Sequence, residues 1–165
     1  MAESSPNLNN PSILTADEFA LVVRLAPLVS IDLLVTTDCR RVLLGLRKNA
    51  PARGFWFTPG GRIRKNESQA DCVSRLIDTE LGMPEISPLA NSLIGAWDHF
   101  YQDSFFSNNC TTHYVNLVYL LPCDGDLDLR ALPLDQHTQW RWWPLQEARN
   151  SQLIHPHVKP YLDYL

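Results

Sequence analysis

The stretch from Pro59 to Gly82 restricts the fold more than any other part of the chain. Pro59-Gly60-Gly61 forces a turn, because proline interrupts an extended run and glycine takes backbone angles closed to other residues. Beyond it, residues 66–81 read as an amphipathic helix. Ser68 is suited to cap it, Val73, Leu76, Ile77 and Leu81 give it an apolar stripe, and Gly82 stops it. Phe55-Trp56-Phe57 enters the turn as a short aromatic strand. A helix with one apolar stripe must bury it, and the strands around this segment supply the surface.

Two strand-like runs precede it, residues 29–36 and 41–46, separated by the polar punctuation Thr37-Asp38-Cys39-Arg40 of a hairpin. Two longer strands follow, residues 93–101 and 112–121, joined by the polar loop 103–110. A last strand, residues 139–143, runs into Pro144, a short helix and a C-terminal segment. Near the start, Thr15-Ala16-Asp17-Glu18 is a capping box opening a short helix that ends near Pro27. The mixture predicts one α/β sandwich domain over residues 14–165, with the Ser-, Asn- and Pro-rich residues 1–13 as a mobile tail.

With 165 residues, 45% of them hydrophobic and 19% charged, the chain can bury one sizeable core. Its net charge of −4 lacks the basic excess with which proteins neutralise nucleic-acid phosphates, so no nucleic-acid partner is expected. No apolar run approaches the roughly 20 residues that span a bilayer, so no membrane partner is expected either. The start is polar and acidic, unlike a signal peptide, and a cytoplasmic location is the expectation. Cys39, Cys72, Cys110 and Cys123 show no metal-ligand spacing and read as reduced, mostly buried residues.

Within the turn and helix, Gly61, Glu67, Arg75, Ile77, Glu80 and Gly82 stand at the spacing of the Nudix box, which this segment resembles. The resemblance implies an α/β/α sandwich with a mixed β-sheet, whose strand–loop–helix binds Mg²⁺ and a diphosphate. Mg²⁺ is a hard cation that takes oxygen ligands, and helix carboxylates and substrate phosphates provide them. Two positions depart from the box: Leu76 and Thr79 stand where it has glutamates. Positions 76, 79 and 80 share a helix face by spacing, so this helix retains one of three carboxylates, Glu80. Fewer metal ions follow from fewer charges. Glu67 and Arg75, two turns apart, read as a tie between loop and helix.

The same loss characterises the GDP-mannose mannosyl hydrolase branch, and the resemblance to that branch extends over roughly residues 28–160. It includes Ser30-Ile31-Asp32, Leu43-Leu44-Gly45-Leu46-Arg47, Trp56 through Arg62, and Trp97-Asp98-His99-Phe100-Tyr101. Thr111-Thr112-His113-Tyr114 and Asp135-Gln136-His137 also belong to it. It implies one Mg²⁺ per site, replaceable by Mn²⁺, held by the Gly60 carbonyl, Glu80 and Gln136. His137 would be the general base, a role imidazole can fill near neutrality. Arg47 and Arg62 would meet the departing diphosphate, which guanidinium can pair bidentately. Asp32, His99 and Tyr114 would contact the substrate. Asp32, set in an apolar strand, also requires a polar partner.

The implied reaction is hydrolysis of a nucleotide-sugar, GDP-mannose or GDP-glucose, to GDP and free sugar by water attack at the anomeric carbon, in a homodimer. A conventional pyrophosphohydrolase attacking phosphorus, or an inactive nucleotide-binding domain, are the alternatives. His113 is expected to point away from the site, and Trp140, Trp142 and Trp143 to pack the strands.

Overall fold

The computed structural model describes residues 14–38, 40–83, 92–106, 110–123 and 127–165; the expected tail, Cys39 and part of the 103–110 loop lie outside these. Helix α1 is Ala16–Leu25, opened by the predicted capping box: the Thr15 hydroxyl accepts from the Glu18 N–H, and the Glu18 carboxylate accepts from the Thr15 N–H. It ends at Ala26, since a residue before proline is pushed out of helical angles.

Strand β1, Leu28–Thr37, is the centre of the sheet. Along one edge it pairs in parallel with β6, Thr112–Pro122, and β6 pairs antiparallel with β5, Leu93–Tyr101. Its other edge is divided. The first half pairs with β4, Gly60–Arg62, in the register Ser30↔Arg62 and Asp32↔Gly60. The far end forms the predicted hairpin with β2, Arg41–Arg47. β2 then leaves β1 and pairs instead with β3, Trp56–Phe57, and with β7, His137–Pro144. At the parting, the Leu33 N–H donates to the Pro59 carbonyl at 2.8 Å. The sheet therefore splays between Asp32 and Arg47.

β1 is buried on both faces, as expected of a strand paired in parallel under two helical layers. Ile31, Leu33 and Val35 pack against α2, Gln69–Leu81, while Leu34 packs with α3, Leu145–Asn150, and α4, Lys159–Leu162. The result is an α/β/α sandwich with a mixed sheet. Trp140 and Trp143 fill opposite core layers, one on each side, as packing residues do.

The helix of the box starts at residue 69 rather than 66. Residues 66–68 are spent on the turn: Asn66 adopts φ 64°, and Ser68 caps the helix from outside. Glu67 accepts from the Arg64 N–H at 2.8 Å and binds Arg75 through both carboxylate oxygens, at 2.6 and 2.8 Å. Arg75 also donates to the Arg62 carbonyl at 3.1 Å, so one guanidinium joins helix, loop and β4.

Positions 76, 79 and 80 are neighbours on the helix by spacing, but they differ in burial. Leu76 is 1% exposed and packs towards Gly61, where an added Cβ would stand 2.9 Å from the leucine Cδ2. Thr79 is exposed, and Glu80 half-buried. The edge of the apolar stripe runs between residues 76 and 79, so neighbours by spacing have opposite surroundings.

Two predictions follow from this helix. Leu76→Glu, which buries a carboxylate without a partner, should lose about 3 kcal/mol or more in urea denaturation, whereas Thr79→Glu should stay within about 0.5 kcal/mol. The hydrogen bond from Arg75, assisted by the Arg64 N–H, holds the Glu67 carboxyl at about 2, against an ordinary 4.5. Its stabilisation is complete above about pH 4.5 and is lost as pH falls towards 2. Wild type should therefore exceed Glu67→Gln in urea midpoint at pH 7, with the gap closing as the pH reaches that lower value.

Candidate active site

The splay of β1 and β2 opens a cavity of about 440 Å³. Asp32, Arg47, Gly60, Arg62, His99 and Tyr114 line it, and Gln136 joins them, so seven of the nine residues singled out in the sequence share one cavity. Glu80 and His137 do not line it.

Asp32 sits on the floor, 7% exposed. Its required partner is Tyr161 of α4, whose hydroxyl donates to the carboxylate at 3.0 Å. Burial pushes the Asp32 carboxyl up to about 6, against the lowering effect of that hydrogen bond and of Arg47. The turn lies against this carboxylate only because residue 60 is glycine: a Cβ there would be 2.4 Å from the Ile31 carbonyl and 2.7 Å from Asp32 Oδ1. Ser30, His99 and Asn116 complete the floor, all buried. Burial, with His157 and His155 adding to it, lowers His99 to about 3, so its imidazole is neutral.

Arg47, at the end of β2, donates to the Gln136 side-chain oxygen at 3.0 Å. The Lys48 N–H donates to the Gln136 carbonyl at 3.1 Å, which fixes the same segment from the backbone. Arg62 lies across the cavity with its guanidinium 4.3 Å from the centre of the Phe19 ring of α1. Phe105 stands at the mouth and meets Phe106, which packs edge-on against Phe19. Two arginines and a neutral polar floor under an aromatic rim suit an anionic ligand with a polar and a planar part.

Glu80 has no hydrogen-bond donor among the described residues. Burial raises its carboxyl to about 7; Arg47 and Arg75 oppose this and the Asp135 carboxylate adds to it. A carboxylate so placed is stabilised by a cation. Glu80, Asp135, the Gln136 amide and the Gly60 carbonyl offer only oxygen donors, which suits a hard divalent ion. Among the described residues no group of three or more His, Cys, Asp or Glu could hold a metal by itself. Oxygen donors of this kind are chemically suited to an ion that takes substrate phosphates and water as further ligands.

His137 is placed differently from the expectation of a base in the cavity. β7 begins at this residue, two positions earlier than the sequence suggests, and pairs it with Arg47 in the sheet. Its ring is 1% exposed and packs 4.4 Å from the Trp140 ring. Gly45 makes room for it, since a Cβ there would lie 2.4 Å from His137 Cδ2. Neither ring nitrogen has a hydrogen-bond partner among the described residues, and burial lowers the imidazole to about 3. His113 does not line the cavity; its ring lies tilted by 31° against Phe100, and Nε2 is 3.5 Å from Asp98.

Sequence reasoning missed Tyr161, Asn116 and Tyr101. Asn116 and Tyr161 carry no local signal, being a polar residue in a strand and an aromatic residue in a terminal helix. The available signal was His155-Pro156-His157, whose second ring stacks on His99 with centres 4.2 Å apart.

A NUDIX domain model matches residues 26–165. The low-salt glycan biosynthesis protein Agl8 of Haloferax volcanii is 36% identical over 168 aligned residues, covering 100% of this chain and 99% of that protein. An ADP-ribose pyrophosphatase of Methanocaldococcus jannaschii is 30% identical over 61% of this chain and 54% of its own length. Among solved structures, a MutT NUDIX hydrolase from Burkholderia pseudomallei superposes with TM-score 0.65 at 29% identity, over 83% of this chain and 96% of that one. The NUDIX domain of Shewanella oneidensis NrtR, complexed with ADP ribose, shares the fold at TM-score 0.57 and 19% identity, over 92% of this chain and 97% of that one. Box, sandwich and cavity agree with these likenesses, and the chain belongs to the Nudix hydrolase family.

Proposed function

We propose that this protein hydrolyses a GDP-hexose, GDP-mannose or GDP-glucose, at the anomeric carbon, releasing GDP and free sugar. The observation that carries the reading is the state of helix α2. Leu76 is locked in the core and Thr79 is exposed, which leaves Glu80 as the helix's own contribution to a metal site. Attack of water on phosphorus with several metal ions needs more carboxylates than that. A relative named for glycan biosynthesis is in keeping with a nucleotide-sugar substrate.

Glu80, Gln136 and the Gly60 carbonyl would hold a divalent ion, Mg²⁺ by the resemblance, whose chemistry is to neutralise charge on the leaving diphosphate. Arg47 and Arg62, which both line the cavity, bind the diphosphate and stabilise the same charge through their guanidinium groups. Asp32, His99 and Tyr114 contact the hexose from the floor. The water oxygen bonds to the anomeric carbon, the bond from that carbon to the diphosphate oxygen breaks with its electrons, and the water proton passes to a base. Attack opposite the leaving group inverts the anomeric centre.

His137 is the base by resemblance, and its neutral imidazole has accepting capacity to spare. Its burial beneath the wall favours a second assignment, Asp32, the carboxylate that lines the cavity. Loss of a general base costs about 10²- to 10⁴-fold in rate. The variant that removes the base, His137→Gln or Asp32→Asn, should lose that factor in kcat while retaining GDP affinity by calorimetry.

The deciding experiment is product analysis with GDP-mannose and Mg²⁺ in ¹⁸O-water. GDP together with label in the free hexose is the expected result. GMP with hexose 1-phosphate would establish attack at phosphorus and overturn the reading, as would GDP-mannose and GDP-glucose both remaining intact.

A further inference from the structure

Tyr161 is wholly buried, yet its hydroxyl touches three polar side chains of the cavity floor. The Asn116 Nδ2 is at 2.8 Å, Asp32 Oδ2 at 3.0 Å and His99 Nε2 at 2.7 Å. With Asp32 ionised, donor and acceptor chemistry leaves one way to satisfy them. Ser30 donates its hydroxyl proton to Asn116 Oδ1, which turns the amide nitrogen towards Tyr161. That nitrogen can only donate, so the tyrosine oxygen accepts there. An ionised carboxylate can only accept, so the single phenolic proton goes to Asp32. The remaining contact must then run from His99 Nε2–H to the tyrosine oxygen.

We infer that Tyr161 is a positioning residue of the active site: its hydroxyl ends a one-way chain, Ser30 to Asn116 to Tyr161 to Asp32, and fixes His99 as the Nε2–H tautomer. This rests on the proposed function only in so far as Asp32 and His99 meet the substrate. The three donors all point towards Asp32, and such chains strengthen each other's polarity. The rotation of the His99 ring is clamped as well. His157 stacks on it at 4.2 Å with a 6° tilt, the Tyr161 ring lies 21° from parallel, and Phe57 and Tyr101 meet it edge-on. Two floor residues that differ by 67 positions in sequence thus receive their orientation from one segment near the end of the chain. With Asp32 ionised, no other arrangement keeps Tyr161, Asn116 and Ser30 all paired with Asp32 and His99.

The test uses Tyr161→Phe, which keeps the ring and its packing and removes only the hydroxyl. Histidine ¹⁵N spectra of the full-length protein should show His99 protonated at Nε2 in the wild type and a shift towards the Nδ1–H form or a mixture in the variant. With GDP-mannose, kcat should fall about 10- to 100-fold, as for a misaligned site, with KM within about twofold. Retention of wild-type kcat, or an unchanged tautomer in the variant, would reduce Tyr161 to packing and overturn the inference. A wild-type His99 protonated at Nδ1 would overturn it without any variant. If the wild type turns over no GDP-hexose, the functional reading fails by itself and the two tautomer results decide this one.

Discussion

A carboxylate in the middle of a strand buried on both faces costs several kcal/mol unless polar groups surround it, and Asp32 imposes that demand on the whole molecule. Much of the layout around it can be understood as its answer. α4 brings the Tyr161 hydroxyl, β6 brings Asn116, and β5 brings His99. The turn before the box helix approaches without a side chain at Gly60. An apolar residue at position 32 would pack more cheaply, so the stability spent there is consistent with a functional use of the group.

The divided edge of β1 turns that local demand into a cavity. A strand pairing with β2 along its whole length would close the space between Asp32 and Arg47. Here the hairpin is paired only at its closed end, and β4 takes the vacated edge at Ser30 to Asp32. The Glu67–Arg75 clamp then keeps β4 attached to α2, so that Glu80 is held at a fixed distance from the cavity that Gly60 helps to line. Charge placement follows from the same geometry. Arg47 opposes the burial of Asp32 and Glu80 alike, one cation serving two carboxylates from opposite layers.

Features set by neighbouring residues were legible in the sequence. Thr15, Ser68 and Gly82 cap as their chemistry requires, the hairpin turns between Thr37 and Arg41, and the apolar stripe of α2 is read correctly from its spacing. Seven of the residues singled out by family motifs line one cavity. What was not legible depends on partners far away in sequence. The position of His137 is decided by its pairing with Arg47 and by the absence of a side chain at Gly45. Tyr161 takes its meaning from Asp32, 129 residues earlier. Leu76 was legible as part of the apolar stripe, but its contact with Gly61 depends on a partner in the turn before the helix.

The late position of α4 has a bearing on when the protein becomes competent. Strands β1 to β7, the box helix and both arginines are all synthesised before Val158, and the Arg149 side chain waits there to bind the Leu162 and Leu165 carbonyls. The residues of the sheet and both cavity arginines thus precede the Tyr161 hydroxyl that Asp32 requires. Loss of α4 alone would leave the sheet's residues in place in the sequence but take from Asp32 the hydroxyl that answers its burial.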